Sequence, residues 1–189
     1  VQLALSIGGA FGIYQHLGLA SGSTREISFA KDPKEIFKIF FTTVIIRYSV
    51  TLPIFVFLFF FSQKIALNQY KNPALILPLK LYALGILVEA VQSILNAVVS
   101  GTQRFKQLFI YQVATAVMSI TLYVPLVYYY KINGYFYALF AFEFLTSVIM
   151  AFVAFKPYWK DFCFTSKADL KRLLKDLLSI SLGIYVVKI

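Results

Sequence analysis

Four formal charges stand inside otherwise apolar stretches of this chain: Arg47, Glu89, Glu143 and Lys188. A charge deep in a hydrocarbon layer is costly, so such residues usually face a polar cavity and mark a path for substrate or ion. Arginine offers a planar fork of donors that matches phosphate or carboxylate, whereas lysine offers a point charge. The two glutamates can neutralise those cations or suit a cationic ligand. Polar neighbours recur around each charge at helical spacing. Thr43, Arg47 and Thr51 share one face, just before Pro53, which is expected to kink its helix. Gly85, Glu89, Gln92, Ser93, Asn96 and Ser100 form a polar face over about four turns. Tyr111, Thr115, Ser119 and Tyr123 repeat the pattern, followed by Glu143 and Ser147 and then Ser181, Tyr185 and Lys188. Near the start, Ala4, Gly8, Gly12, His16 and Ala20 make a small-residue face that permits close helix approach. His16 on that face is either a hydrogen-bonded packing residue or a proton carrier.

One polar stripe can be explained by hydrogen bonding between packed helices. Stripes on every segment, with four charges among them, point instead to a shared polar or water-filled cavity, and a transporter is the class that uses one. Counting from the expected helix ends, Arg47 and Glu89 lie about 13 Å deep, Lys188 about 15 Å and Glu143 about 18 Å, at 1.5 Å of rise per residue. That is one layer near the midplane, where transporters bind substrate.

The elements that must position these residues are membrane helices. Of the 189 residues, 60% are hydrophobic and 14% charged, and mean hydropathy is +0.77. Soluble domains carry about 25% charged residues, and several apolar runs exceed the roughly 18 residues that mark a membrane span. Six segments are expected, at about 3–23, 38–62, 75–99, 108–130, 135–155 and 177–189. Asp32-Pro33-Lys34-Glu35 and Asn72-Pro73 carry helix-start chemistry, and Lys131-Ile132-Asn133-Gly134 reads as a tight turn between antiparallel helices. Ser166-Lys167-Ala168-Asp169 opens a basic amphipathic stretch.

Charge sets the orientation. Twelve Lys and Arg fall in the loops after segments one, three and five, against three (Lys64, Lys71 and Lys131) in the alternate loops. The richer side is cytoplasmic by the positive-inside rule. Tyr128, Tyr129, Tyr130, Tyr135 and Tyr137 gather at the outer turn, with Tyr158 and Trp159 at an inner one. They read as an interfacial aromatic belt, with a sugar-stacking platform as the sharper alternative. The net charge of +10 lies between apolar runs and accompanies no nucleic-acid motif, so nucleic acid is not an expected partner. The single Cys163 excludes an internal disulfide. No Walker-type loop, metal-ligand cluster or G-x-S-x-G motif is found, so neither an ATPase nor a cofactor is expected. The chain begins at Val1 and ends within an apolar run, and is read as an internal piece of a longer protein.

The glycine-rich helix leading into GLASGSTREIS (Gly18–Ser28), the short loop GTQRFK (Gly101–Lys106) and the closing SISLGIYVVKI (Ser179–Ile189) carry a resemblance. With the helix spacing, they make the whole chain similar to bacterial polysaccharide biosynthesis proteins of the O-antigen flippase type, in the multidrug/oligosaccharidyl-lipid/polysaccharide exporter (MATE-like) superfamily. The resemblance implies an all-α, two-lobe membrane transporter of which this chain is most of the first lobe, with 160–176 as a basic linker between lobes. Its amphipathic part, Lys167–Asp176, would lie on the inner membrane surface. The resemblance also implies a non-enzymatic protein of the bacterial cytoplasmic membrane that flips a lipid-diphosphate-linked oligosaccharide by alternating access, with membrane lipid and a coupling ion as further partners. Cation-coupled drug efflux in the same fold, or a non-transporting subunit of a glycan assembly complex, are the alternatives. Arg47, Glu89, Glu143, Lys188, Asn96, Gln92 and His16 are the expected cavity residues.

Overall fold

A computed structural model describes residues 18–166, 169–177 and 179, together with Leu5, Ser6 and Gly9. His16, Lys188 and most of the first and last expected segments lie outside the described residues. Among the described residues, four helices build the bundle, α1 (Leu19–Phe29), α2 (Pro33–Lys64), α3 (Ile76–Gly101) and α4 (Phe105–Phe155), and 169–177 is helical as well. No strand occurs among the described residues.

Local chemistry explains where these helices begin. The Asp32 carboxylate accepts the Lys34 N–H at 3.0 Å and Pro33 occupies the first helical position, which starts α2. Asn72 does the same for the Ala74 N–H at 3.1 Å, opening a 3-10 turn, Pro73–Leu75, that leads into α3. α2 continues through Pro53 and closes in a π-helical turn, Ile65–Gln69.

α4 has 51 residues and would be about 75 Å long if straight, far more than the roughly 30 Å hydrocarbon core of a bilayer. It folds back instead. Lys131 leaves the helical region with φ 53° and ψ −127°, and Gly134 lies so close to the Leu126 carbonyl that a Cβ there would overlap it. Contacts across the reversal fit an antiparallel hairpin: the Tyr123 and Tyr135 rings are 5.4 Å apart, and Tyr111 reaches the Thr146 carbonyl.

α3 is the central helix and packs against α1, α2 and both limbs of α4. Gly101 sets its approach to α1, because a methyl there would fall 2.8 Å from Ile27 Cβ and the Thr24 carbonyl. The outward face of α4 exposes Phe105, Phe109, Val113, Val117, Ile120 and Val124 at helical spacing. An apolar stripe of that length marks a face covered by lipid or by another protein element. Pro33–Gln69, Pro73–Gly101 and Phe105–Asp161 are each long and apolar enough to cross a membrane, the last more than once through its reversal. The architecture is an all-α, polytopic membrane bundle.

Candidate functional site

The buried apolar residues form two separate cores. One, toward the lysine- and arginine-rich end, joins Ile36, Phe40 and Ile46 of α2 to Ile94, Leu95 and Val98 of α3 and Met150 of α4. The other, toward the tyrosine-rich end, joins Leu58, Leu79, Ile86 and Phe136. On each helix the polar residues fall in the gap between the cores: Arg47 and Thr51 after Ile46, Glu89 and Gln92 between Ile86 and Ile94, Glu143 and Thr146 between Phe136 and Met150.

Arg47 is the largest fully buried side chain among the described residues, with 1% of its surface exposed. A charge so placed needs an opposite charge or a polar ligand, because burial removes its hydration. Glu89 on the neighbouring helix supplies a favourable field at Arg47. Glu143 occupies the same gap on the second limb of α4. Arg47, Glu89 and Glu143 therefore share one layer between the two apolar cores. Its described part holds one cation and two acids.

Beside this layer, Gln92 spans three helical segments. Its amide donates to the Tyr111 hydroxyl at 2.9 Å and to Thr146 Oγ1 at 3.1 Å. Tyr111 donates onward to the Thr146 carbonyl at 3.3 Å, and the Thr146 hydroxyl donates to Phe142 O at 2.7 Å. This network ties α3 to both limbs of α4 directly beneath the acids. Gly85 admits Leu139 at 3.3 Å from where its Cβ would stand. Asn96, one turn beyond Gln92, is half-buried.

Thr146 lies off the expected Glu143–Ser147 stripe, and only the need of Gln92 for partners pointed toward it. Thr43, grouped by spacing with Arg47, instead exchanges a 2.8 Å hydrogen bond with Ser23 of α1 and serves packing. Lys80 is a further charge inside α3. Its Nζ sits 5.5 Å over the Phe59 ring near the tyrosine-rich end, where a long side chain can reach the interface. Arg104, counted from sequence only as a topology charge, donates to Val153 O at 2.8 Å and Ala154 O at 2.6 Å. It ties the start of α4 to carbonyls in its last turn.

Residues 162–166 and 169–177 pack back onto the start of α2. Lys38 Nζ pairs with Asp169 at 2.8 Å, and the Thr165 hydroxyl donates to Lys38 O at 3.0 Å. Asp169 N–H donates to Ser166 Oγ in a capping arrangement. The hydrogen bond from Lys38, then that from Ser166, holds the Asp169 carboxyl below the ordinary carboxylate range.

No curated protein and no solved structure gives a significant match to this chain. The pattern of one family, described as polysaccharide biosynthesis protein, matches residues 1–187. With nearly its whole length covered, this bundle of membrane helices belongs to the polysaccharide biosynthesis protein family.

Proposed function

We propose that the chain is part of a transporter that moves a lipid-diphosphate-linked oligosaccharide across the bacterial cytoplasmic membrane by alternating access, without chemistry on the sugar. The observation that carries this is the burial of Arg47 beside Glu89, in a polar layer between two apolar cores, within a polysaccharide biosynthesis protein. A diphosphate offers paired anionic oxygens that a guanidinium fork matches in a way an ammonium does not. Glu89 would hold the arginine while the site is empty and yield it when substrate enters. Binding energy spent near the midplane favours a state open to neither side, and alternating access needs such an intermediate.

A specific observation favours cation coupling within the same site. Two acids and one buried cation share the gap between the cores among the described residues, and a carboxylate at membrane depth is costly unless it is paired with a cation or protonated. Glu143 is the carboxylate we assign to that role. The test is deletion of the full gene. Lipid-linked glycan should accumulate on the cytoplasmic leaflet and surface polysaccharide should fall. Altered drug or dye sensitivity with normal polysaccharide would replace this function with cation-coupled efflux.

A further inference from the structure

An apolar groove runs along the outside of the bundle between α2 and the second limb of α4. At the basic end it encloses about 360 Å³, within the roughly 300–1,000 Å³ typical of small-molecule sites. Phe37, Phe40 and Phe41 form one wall, and Phe152, Phe155 and Trp159 the other. A second space of about 290 Å³ shares Val148 and Ala151 with the first and continues inward. Its floor is Leu87, Val91 and Leu95 of α3, and it ends at Tyr48 and Ser147.

From Phe37 to Tyr48, and from Phe144 to Phe155, each wall covers eleven helical steps, about 16 Å. Half of a bilayer core is about 15 Å. The groove thus extends from the interface to the midplane, the reach of an acyl chain anchored in the leaflet at the basic end. A longer polyprenyl chain would overrun it.

The mouth is chemically different from the floor. The turn Lys156–Asp161 carries exposed Lys156 and Lys160 beside Trp159, opposed on that turn by Asp161 alone. Phe162 packs edge-on against Phe37 and Phe41 and closes the groove from above. Lysines near a surface attract anionic headgroups, and tryptophan anchors at that depth. We infer that this groove is a binding site for an anionic phospholipid, with one acyl chain along α2 and α4 and the headgroup phosphate between Lys156 and Lys160. The site is separate from the Arg47 layer and does not depend on what that layer transports.

The test uses the full-length protein in nanodiscs doped with phosphatidylglycerol or phosphatidylcholine, each bearing a diazirine on one acyl chain. The phosphatidylglycerol probe should label peptides within 37–48 and 144–159, and Ala151→Trp should abolish that labelling. Lys156→Gln with Lys160→Gln, both exposed and outside the cores, should lower phosphatidylglycerol labelling about tenfold and leave phosphatidylcholine labelling unchanged. Equal labelling by the two probes in the unaltered protein would make the groove ordinary lipid-facing surface and overturn the inference. So would an unlabelled groove, because another part of the chain would then cover it.

Discussion

The two halves of the bundle share aromatic packing but differ in directional contacts. In the basic half, ring contacts such as Phe37 with Phe155 are joined by hydrogen bonds and an ion pair between elements: Ser23 to Thr43, Arg104 to the end of α4, and Lys38 to Asp169. The tyrosine half has ring contacts, such as Tyr123 with Tyr135 and Tyr135 with Phe136. Among its described residues, no side-chain hydrogen bond joins one helix to another. Hydrogen bonds have preferred angles and resist sliding, whereas dispersion contacts can be exchanged for others nearby. The polar layer lies where these regimes meet. Under the transport we propose, the basic half would move as a unit while the tyrosine half repacks.

Glycine substitutions give the largest test of this contrast. Gly134→Val should prevent the α4 reversal and eliminate folded protein, measured as monodisperse material after detergent extraction. Gly101→Ala should cost about 1–3 kcal/mol of overpacking and still yield folded protein, with α1 shifting to clear Ile27 Cβ and the Thr24 carbonyl. Removing single ties comes next. Arg104→Ala should destabilise the bundle by about 2 kcal/mol, as expected for charge-assisted hydrogen bonds, and lower the thermal midpoint. Lys80→Ala, which loses only a cation–π contact in the tyrosine half, should cost about 0.5–1 kcal/mol. Equal losses would erase the distinction between the halves.

The smallest effect concerns residues 162–166 and 169–177, which pack on the start of α2. Asp169 titrates below its unfolded value of about 3.9. Its contribution to docking is therefore present above that pH and lost as pH falls through the lower folded value. Accessibility of Cys163 to a thiol reagent should stay constant from neutral pH down to about 5 and rise only in stronger acid. Lys38→Gln should raise that accessibility at neutral pH toward the level the unaltered protein reaches in strong acid, and flatten its dependence.

Much of the fold was legible because membrane helices must satisfy their own backbone and so declare themselves by apolar length. Asp32-Pro33 and Asn72-Pro73 marked helix starts by local chemistry that tertiary contacts do not override. The reversal was legible in Lys131-Ile132-Asn133-Gly134: the backbone departs at Lys131, the first residue of that turn, and Gly134 permits the close return past Leu126. Polar partners across helices were not legible. Spacing along one helix places Gln92 on a face, but only the packing of α3 against both limbs of α4 selects Tyr111 and Thr146 as its acceptors. Arg104 was missed for a related reason. Its carbonyl partners lie about fifty residues away, at the far end of the hairpin. Thr43 shares the periodicity of Arg47, yet it faces α1 because the short helix crosses there.

The central claim is that Arg47 serves the transported anion and not merely the fold. Its most direct test is export of the lipid-linked glycan by full-length Arg47→Gln and Arg47→Lys proteins matched for membrane insertion. Arg47→Gln should abolish export, and Arg47→Lys should impair it, because a point charge cannot reproduce the two-pronged contact. Full export by Arg47→Gln would contradict the claim and leave Arg47 as a structural partner of Glu89.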